Sequence, residues 1–94
     1  MSKIDEYAAK RSRKDPEFAQ AVQQDNINLE VAVKVRDLRD KLGLTQREFA
    51  NLVHKPQSTI ARIENGSMNT STKLLSEIAQ ATNQKITIEF TPMS

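Results

Sequence analysis

A chain of 94 residues is long enough for one compact domain with a modest core. It has no cysteine, which excludes disulfide bonds and thiolate metal sites, and its single histidine and two glycines support neither a catalytic triad nor a phosphate loop. Its net charge of +2 alone says little about a nucleic-acid partner. We therefore expect a protein that is not an enzyme and uses no metal or cofactor. Without a membrane-length apolar run or a signal-peptide pattern, it is expected to be cytoplasmic.

The N-terminal part of the chain changes from basic to acidic. Residues 1–14 carry a run of lysines and arginines and include a short predicted helix. Residues 15–30 carry acidic side chains and no lysine or arginine. Asp15 followed by Pro16 predicts a second helix start, because Asp accepts backbone N–H bonds and Pro fits the first helical position. The apolar side of this helix carries Phe18, Ala21 and Val22.

The next two helices are marked by their ends. Asn28 is a predicted N-cap, and Gly43 is a predicted stop because glycine tolerates the left-handed conformation. Thr45 and Glu48 have the spacing of a capping box, which predicts the start of the following helix. The apolar positions recur at helical spacing in both segments. They are Val31, Val35, Leu38 and Leu42 in the first, and Phe49, Ala50 and Val53 in the second.

Two further helices follow. One begins near Pro56 and ends at Gly66, and the other begins at Thr70 or Ser71 and ends near Asn83. Each has one apolar side, which predicts that both helices pack on a shared core. The core positions are Ile60, Ile63, Leu74, Leu75 and Ile78.

The C-terminal stretch KITIEF has the alternation of a β-strand, with Ile86, Ile88 and Phe90 on one side. A single strand is not stable in water. Pairing with the same strand of a second copy would give a homodimer. Packing back onto its own domain is the alternative.

Two short helices joined by a tight turn, after a longer helix, predict a helix-turn-helix unit. On the helix that begins near Pro56, Ser58 and Arg62 lie roughly opposite the apolar side. Gln57 lies at the N-terminal end, which is the end that approaches base edges in such units. Glutamine can bond adenine and arginine can bond guanine, so this helix is the expected reader of DNA.

The stretch LRDKLGLTQREFANLVHKPQSTIARIENG resembles the Xre/Cro family of lambdoid phage repressors. The resemblance implies a mainly α, lambda-repressor-like helix bundle. It also implies a structural ion pair between Arg39 and Glu64. His54 stands where this family usually has glycine, although histidine is one of the residue types found at positive φ. The DNA contacts implied are Gln46 to a phosphate, Gln57, Ser58 and Arg62 to bases, and Thr59 to either.

The order of KDPEFA, helix-turn-helix and KITIEF resembles HigA-like antitoxins of type II toxin–antitoxin pairs, whose partners are RelE-like mRNA endonucleases. The resemblance implies a toxin-contacting segment at 1–27, a DNA-binding domain at 28–83 and a dimerisation strand at 84–94. Such a protein would neutralise its cognate toxin and bind operator DNA as a homodimer. The toxin contacts implied are Asp15, Glu17, Phe18 and Val22.

Other interpretations stay open. The protein could be a free-standing repressor without a toxin, or an interaction module that has lost DNA binding, although Gln46, Gln57 and Arg62 argue against the latter. The acidic segment could be an ordinary solvated helix face. The basic side chains Arg11, Arg13 and Lys14 could form either a solvated charge run or an arm in the DNA minor groove.

Overall fold

The computed structural model describes residues 16–93, and this part of the chain forms four helices. They are α1 (Pro16–Leu42), α2 (Gln46–Leu52), α3 (Gln57–Glu64) and α4 (Thr72–Ala81). The two main contacts between helices join α1 to α3 and α2 to α3. The third helix is therefore held from two sides, and its orientation is fixed by both of its neighbours.

The core lies where the apolar sides of the four helices meet. Phe49, Ile60 and Ile63 are almost completely buried, and each stabilises the fold by roughly 1.5–3 kcal/mol through the apolar surface that it removes from water. These are positions that the helical spacing in the sequence predicted. The remaining core members are Val35, Ala50, Val53, Leu74 and Ile78.

The first described helix is continuous, so the helix start predicted at Asn28 is wrong. Asn28 lies in the middle of α1 and is buried. Its Nδ2 donates to Oδ1 of Asn69 at 2.7 Å, and its Oδ1 accepts from Nε2 of Gln24 at 2.9 Å. Because both side-chain groups have side-chain partners, they do not compete with the helical backbone. The short helix predicted within residues 1–14 lies outside the described residues.

Four residues in left-handed conformation follow the four helices. Two are glycines, as expected, and the other two are a histidine and an asparagine, which also occur in this region. Each allows the chain to reverse within a few residues and start the next segment. They are Gly43 (φ 70°), His54 (φ 58°), Gly66 (φ 76°) and Asn83 (φ 57°).

The starts of α2 and α4 are capped as the sequence predicts. Thr45 accepts a hydrogen bond from the backbone N–H of Glu48 at 3.1 Å, and the Glu48 carboxylate accepts one from the Thr45 N–H at 2.9 Å. This reciprocal pair is a capping box. Ser71, rather than Thr70, caps α4 by accepting from the backbone N–H of Leu74.

The predicted C-terminal strand is not formed: the described residues contain no strand, and 84–93 have no regular secondary structure. A strand needs a neighbouring backbone edge, and the helices described here offer none. Ile86 and Ile88 instead line an open groove beside α4. Phe90 is 97% exposed, so the apolar side of this tail is only partly covered.

Candidate nucleic-acid interface

The turn between α2 and α3 is short and held at both ends. His54 takes the left-handed conformation, and the Lys55 N–H donates to the carbonyl of Ala50 at 3.0 Å. The Lys55 ammonium pairs with Glu77 on α4, and this hydrogen bond lowers the pKa of the Glu77 carboxyl. Pro56 then precedes the first residue of α3 in extended conformation. These contacts hold the turn against α2 and α4 just before α3 begins.

The two sides of α3 differ sharply in exposure. Ile60 and Ile63 are 0% and 1% exposed and point into the core. Gln57, Ser58 and Arg62 are exposed. Thr59 is partly buried beside them. The structure thus brings the three predicted base-reading side chains to the surface of one helix.

A buried ion pair lies at the C-terminal end of α3. Nε and Nη2 of Arg39 donate to Oε2 and Oε1 of Glu64 at 2.8 and 2.9 Å, which is a bidentate arrangement. Nη1 of Arg39 donates to the Leu44 carbonyl at 3.0 Å. The pair therefore joins α1 to α3 and to the loop before α2.

Two other side chains approach the same carboxylate. Nε2 of Gln46 donates to Oε1 of Glu64 at 3.2 Å. Nε of Arg36 lies 3.9 Å from that oxygen, and Nη2 of Arg36 donates to the backbone carbonyl of Glu64 at 3.2 Å. Gln46, a predicted phosphate contact, is thus positioned by the ion pair. Arg36 was missed by sequence reasoning, although it lies one turn before Arg39 on α1 and so faces a similar direction.

The carboxyl of Glu64 stays ionised in this setting. Burial raises its pKa, but the hydrogen bonds from Arg39 and Gln46 and the charges of Arg39 and Arg36 outweigh burial, so its pKa lies below the ordinary value. At neutral pH, the negative charge of Glu64 therefore holds these donors at the end of α3.

The predicted toxin-contacting residues occupy the outer part of α1. Glu17 is exposed there, and Phe18 and Val22 are half-buried. Asp15 and the basic residues before it lie outside the described residues. No helix within residues 16–93 is long and apolar enough to cross a membrane. Within the same part of the chain, no group of three histidine or acidic side chains is placed to hold a metal ion.

A family model described as helix-turn-helix matches residues 35–88, more than half of the chain. The chain therefore belongs to the helix-turn-helix family, and it is a DNA-binding protein.

Similar proteins extend this assignment to the regulation of transcription. Two uncharacterized HTH-type transcriptional regulators of Archaeoglobus fulgidus are each 38% identical to the chain over 53 residues, which is 56% of this chain and 76% and 75% of theirs. The competence pilus inhibition repressor of Acinetobacter baylyi is 34% identical over 55 residues, which is 58% of this chain and 50% of that repressor. No solved structure gave a significant match.

Proposed function

We propose that the protein is a sequence-specific repressor that reads DNA by placing α3 in the major groove. The observation that carries the proposal is the exposed set of Gln57, Ser58 and Arg62 on a helix whose opposite side is fully buried. Side chains of these types can bond base edges, and the rigid attachment of α3 to α1 and α2 keeps them in register. The similarity to a named repressor supports the regulatory role.

Substitution on α3 tests base reading. Arg62→Ala and Gln57→Ala should each weaken binding to the selected operator by about 1–3 kcal/mol and change binding to random duplexes little. The operator can be obtained by selection from a pool of random duplexes with the wild-type protein. Equal losses on operator and random DNA would exclude base reading by these two residues.

The phosphate role of Gln46 has a different signature. Gln46→Ala should weaken specific and non-specific binding alike, because a phosphate carries no sequence information. The salt dependence of binding should hardly change, because the glutamine side chain is neutral. A variant with altered base preference and intact affinity for random DNA would contradict the assignment.

We further propose that the protein is an antitoxin that neutralises a RelE-like mRNA endonuclease and represses its own operon. The outer part of α1 supports this reading, because Glu17, Asp25 and Glu30 are its only charged residues before Lys34. This acidic stretch complements a basic, RNA-binding partner. Leu29, within this stretch, and Val33, just after it, are 55% and 56% exposed. They enlarge the apolar surface that a partner protein could cover.

Growth rescue against the product of the neighbouring gene tests the antitoxin role. Phe18→Ala and Val22→Ala should impair rescue, with apolar burial contributing roughly 1.5–3 kcal/mol at each site. Asp15→Ala should impair it less, because exposed carboxylates mainly guide encounter. Gln20→Ala, at an exposed position of the same helix, is the control. Full rescue by both apolar variants, or a neighbouring product that is not toxic, would favour a free-standing repressor.

The proposal includes a homodimer formed through the C-terminal tail. Ile88, Phe90 and Met93 are 67%, 97% and 87% exposed, so the tail offers apolar side chains for a second copy to cover. A second copy of the tail supplies the backbone edge that KITIEF lacks in one chain. Two α3 helices would then face half-sites about 34 Å apart, one turn of DNA.

A further inference from the structure

Arg36 is a cation of α1 that lies beside the C-terminal end of α3. Its contacts leave most of its N–H donors without an acceptor. Its side chain is 57% exposed. One N–H donates to the backbone carbonyl of Glu64 at 3.2 Å, and the nearest carboxylate contact, to Glu64 Oε1, is 3.9 Å long. A guanidinium has five N–H donors, so four remain for another acceptor.

The charge of Arg36 is also not fully compensated. Glu64 carries one negative charge, and Arg39 already binds it with two short hydrogen bonds of 2.8 and 2.9 Å. Arg36 adds a second positive charge to the same carboxylate. Asp40 lies 3.9 Å from Arg39, but its side chain is 65% exposed and solvent screens it. Arg36 is therefore the positive charge of this cluster that faces water without a close anionic partner.

The location of this charge suits the DNA backbone. Arg36 and Gln46 approach the same oxygen of Glu64, so the two side chains are neighbours. From Gln57 to Glu64, α3 is about 10 Å long at 1.5 Å per residue. The major groove is about 12 Å wide, so when the N-terminal end of α3 reads bases, its C-terminal end lies near a groove wall.

We propose that Arg36 binds a DNA phosphate beside the one assigned to Gln46, so that the end of α3 carries a two-residue phosphodiester site organised by Glu64. This inference rests on the proposed DNA-binding function. The guanidinium fork matches the oxygens of a phosphate, and a bidentate contact fixes the depth at which α3 enters the groove.

The test uses the full chain and a short duplex of arbitrary sequence, because a phosphate contact needs no operator. Affinity is measured between about 50 and 200 mM KCl for the wild type, Arg36→Ala and Lys34→Ala. Lys34 is a matched control, since it is exposed on α1 two residues away and its removal changes the net charge equally. Losing one phosphate contact should reduce the slope of log K against log salt by about 0.9. Over that range, the salt-induced loss of affinity should shrink about three- to four-fold in Arg36→Ala and stay near wild type in Lys34→Ala.

Conservative variants separate phosphate binding from a purely structural role. Provided that circular dichroism shows both variants folded, Arg36→Lys should keep the wild-type slope, and Arg36→Gln should show a slope reduced by about 0.9. The same comparison decides the question if Arg36→Ala does not fold. If wild-type protein binds duplex DNA and Arg36→Gln retains the full slope, the inference is overturned while the proposed function stands. A wild-type protein that binds no duplex would overturn the proposed function itself.

Discussion

Glu64 shows how one buried side chain can organise several parts of the interface. Its carboxylate bonds Arg39 from α1 and Gln46 from α2, and it belongs to α3 itself. Its side chain is only 1% exposed, so no solvent replaces a partner that is lost. The sequence motif implied a pair, whereas the structure holds a cluster that also places a proposed DNA contact.

Neutralising Glu64 should therefore destabilise the protein. Glu64→Gln leaves Arg39, which is 17% exposed, without its anionic partner, and the free energy of unfolding should fall by about 3 kcal/mol. Urea denaturation at neutral pH measures the change. Asp40→Asn is the control, since its 3.9 Å contact with Arg39 is exposed, and it should change stability by less than about 1 kcal/mol. A loss below about 1 kcal/mol in Glu64→Gln would contradict the structural role of the pair.

The same carboxylate should make stability depend on pH. Its folded-state pKa lies below its unfolded value near 4.5, so its stabilising contribution is complete above that pH. The contribution is lost as the pH falls through the folded pKa, because the unfolded chain then binds a proton more readily. Urea midpoints should therefore fall below about pH 5. The fall should be smaller in Glu64→Gln, and an identical acid profile would assign the effect to other carboxylates such as Glu48 and Glu77, whose pKa values are also lowered.

At the scale of elements, the ends of the helices were more predictable than their continuity. Gly43, the Thr45 capping box and Gly66 mark boundaries through local chemistry that a sequence displays directly. The helix start predicted at Asn28 was wrong, because a sequence does not distinguish an asparagine that caps a helix from one that bonds distant side chains. Its partner Asn69 is 41 residues away, and only the fold brings the two together.

In the candidate site, too, features set by local sequence were predictable and features set by the packing of distant segments were not. Ser58 and Arg62 lie opposite a helical apolar pattern, so their exposure could be deduced from spacing. Gln57 lies to the side of that pattern, and its exposure follows from its place at the start of the helix. The contact of Arg36 with the end of α3 depends on how two helices cross, and no local pattern encodes it. The isolated KITIEF alternation predicted a strand because alternation reports side-chain preference, whereas strand formation also requires a neighbouring edge.

Gly43 and Gly66, which follow α1 and α3, allow a test of how much a left-handed conformation costs a residue with a side chain. A Cβ at Gly43 would meet nothing within 4 Å, whereas a Cβ at Gly66 would lie 3.1 Å from Cδ2 of Leu29. Gly43→Ala should lower the free energy of unfolding by about 1 kcal/mol through φ strain alone. Gly66→Ala should lose slightly more, because the half-exposed Leu29 side chain must shift. Thermal unfolding of both, and of Gly66→Ala with Leu29→Ala, separates the two contributions; a smaller loss at Gly66 than at Gly43 would contradict this account.

At the scale of the whole molecule, the four described helices form one unit around a shared core. The C-terminal tail, residues 84–93, lies beside this unit. The core involves residues from all four helices and none from 84–93. Ile86 contacts the groove beside α4, but its side chain remains 39% exposed. The helical unit should therefore fold without the tail.

Removal of residues 85–94 should leave a folded protein that is mainly monomeric and binds the operator weakly. The reason is that the proposed dimer buries the tail, whereas the core does not need it. Sedimentation velocity measures the oligomeric state, and circular dichroism verifies the helices. Phe90→Ala in the full chain is a milder variant that should shift the same equilibrium. A truncated protein that is still fully dimeric would move the interface to another surface.

The difference in burial along α1 should be visible in amide hydrogen exchange. No residue of 16–27 is buried, whereas Asn28, Ala32 and Val35 are. Since local opening follows the density of buried contacts, exchange should be fast in the outer part of α1 and slow from Asn28 onward. Protection would thus increase along α1, from its outer end to the part that packs on α3. A protein bound to the outer part would slow exchange there first, and any further slowing in α3 would measure directly how far its effect travels.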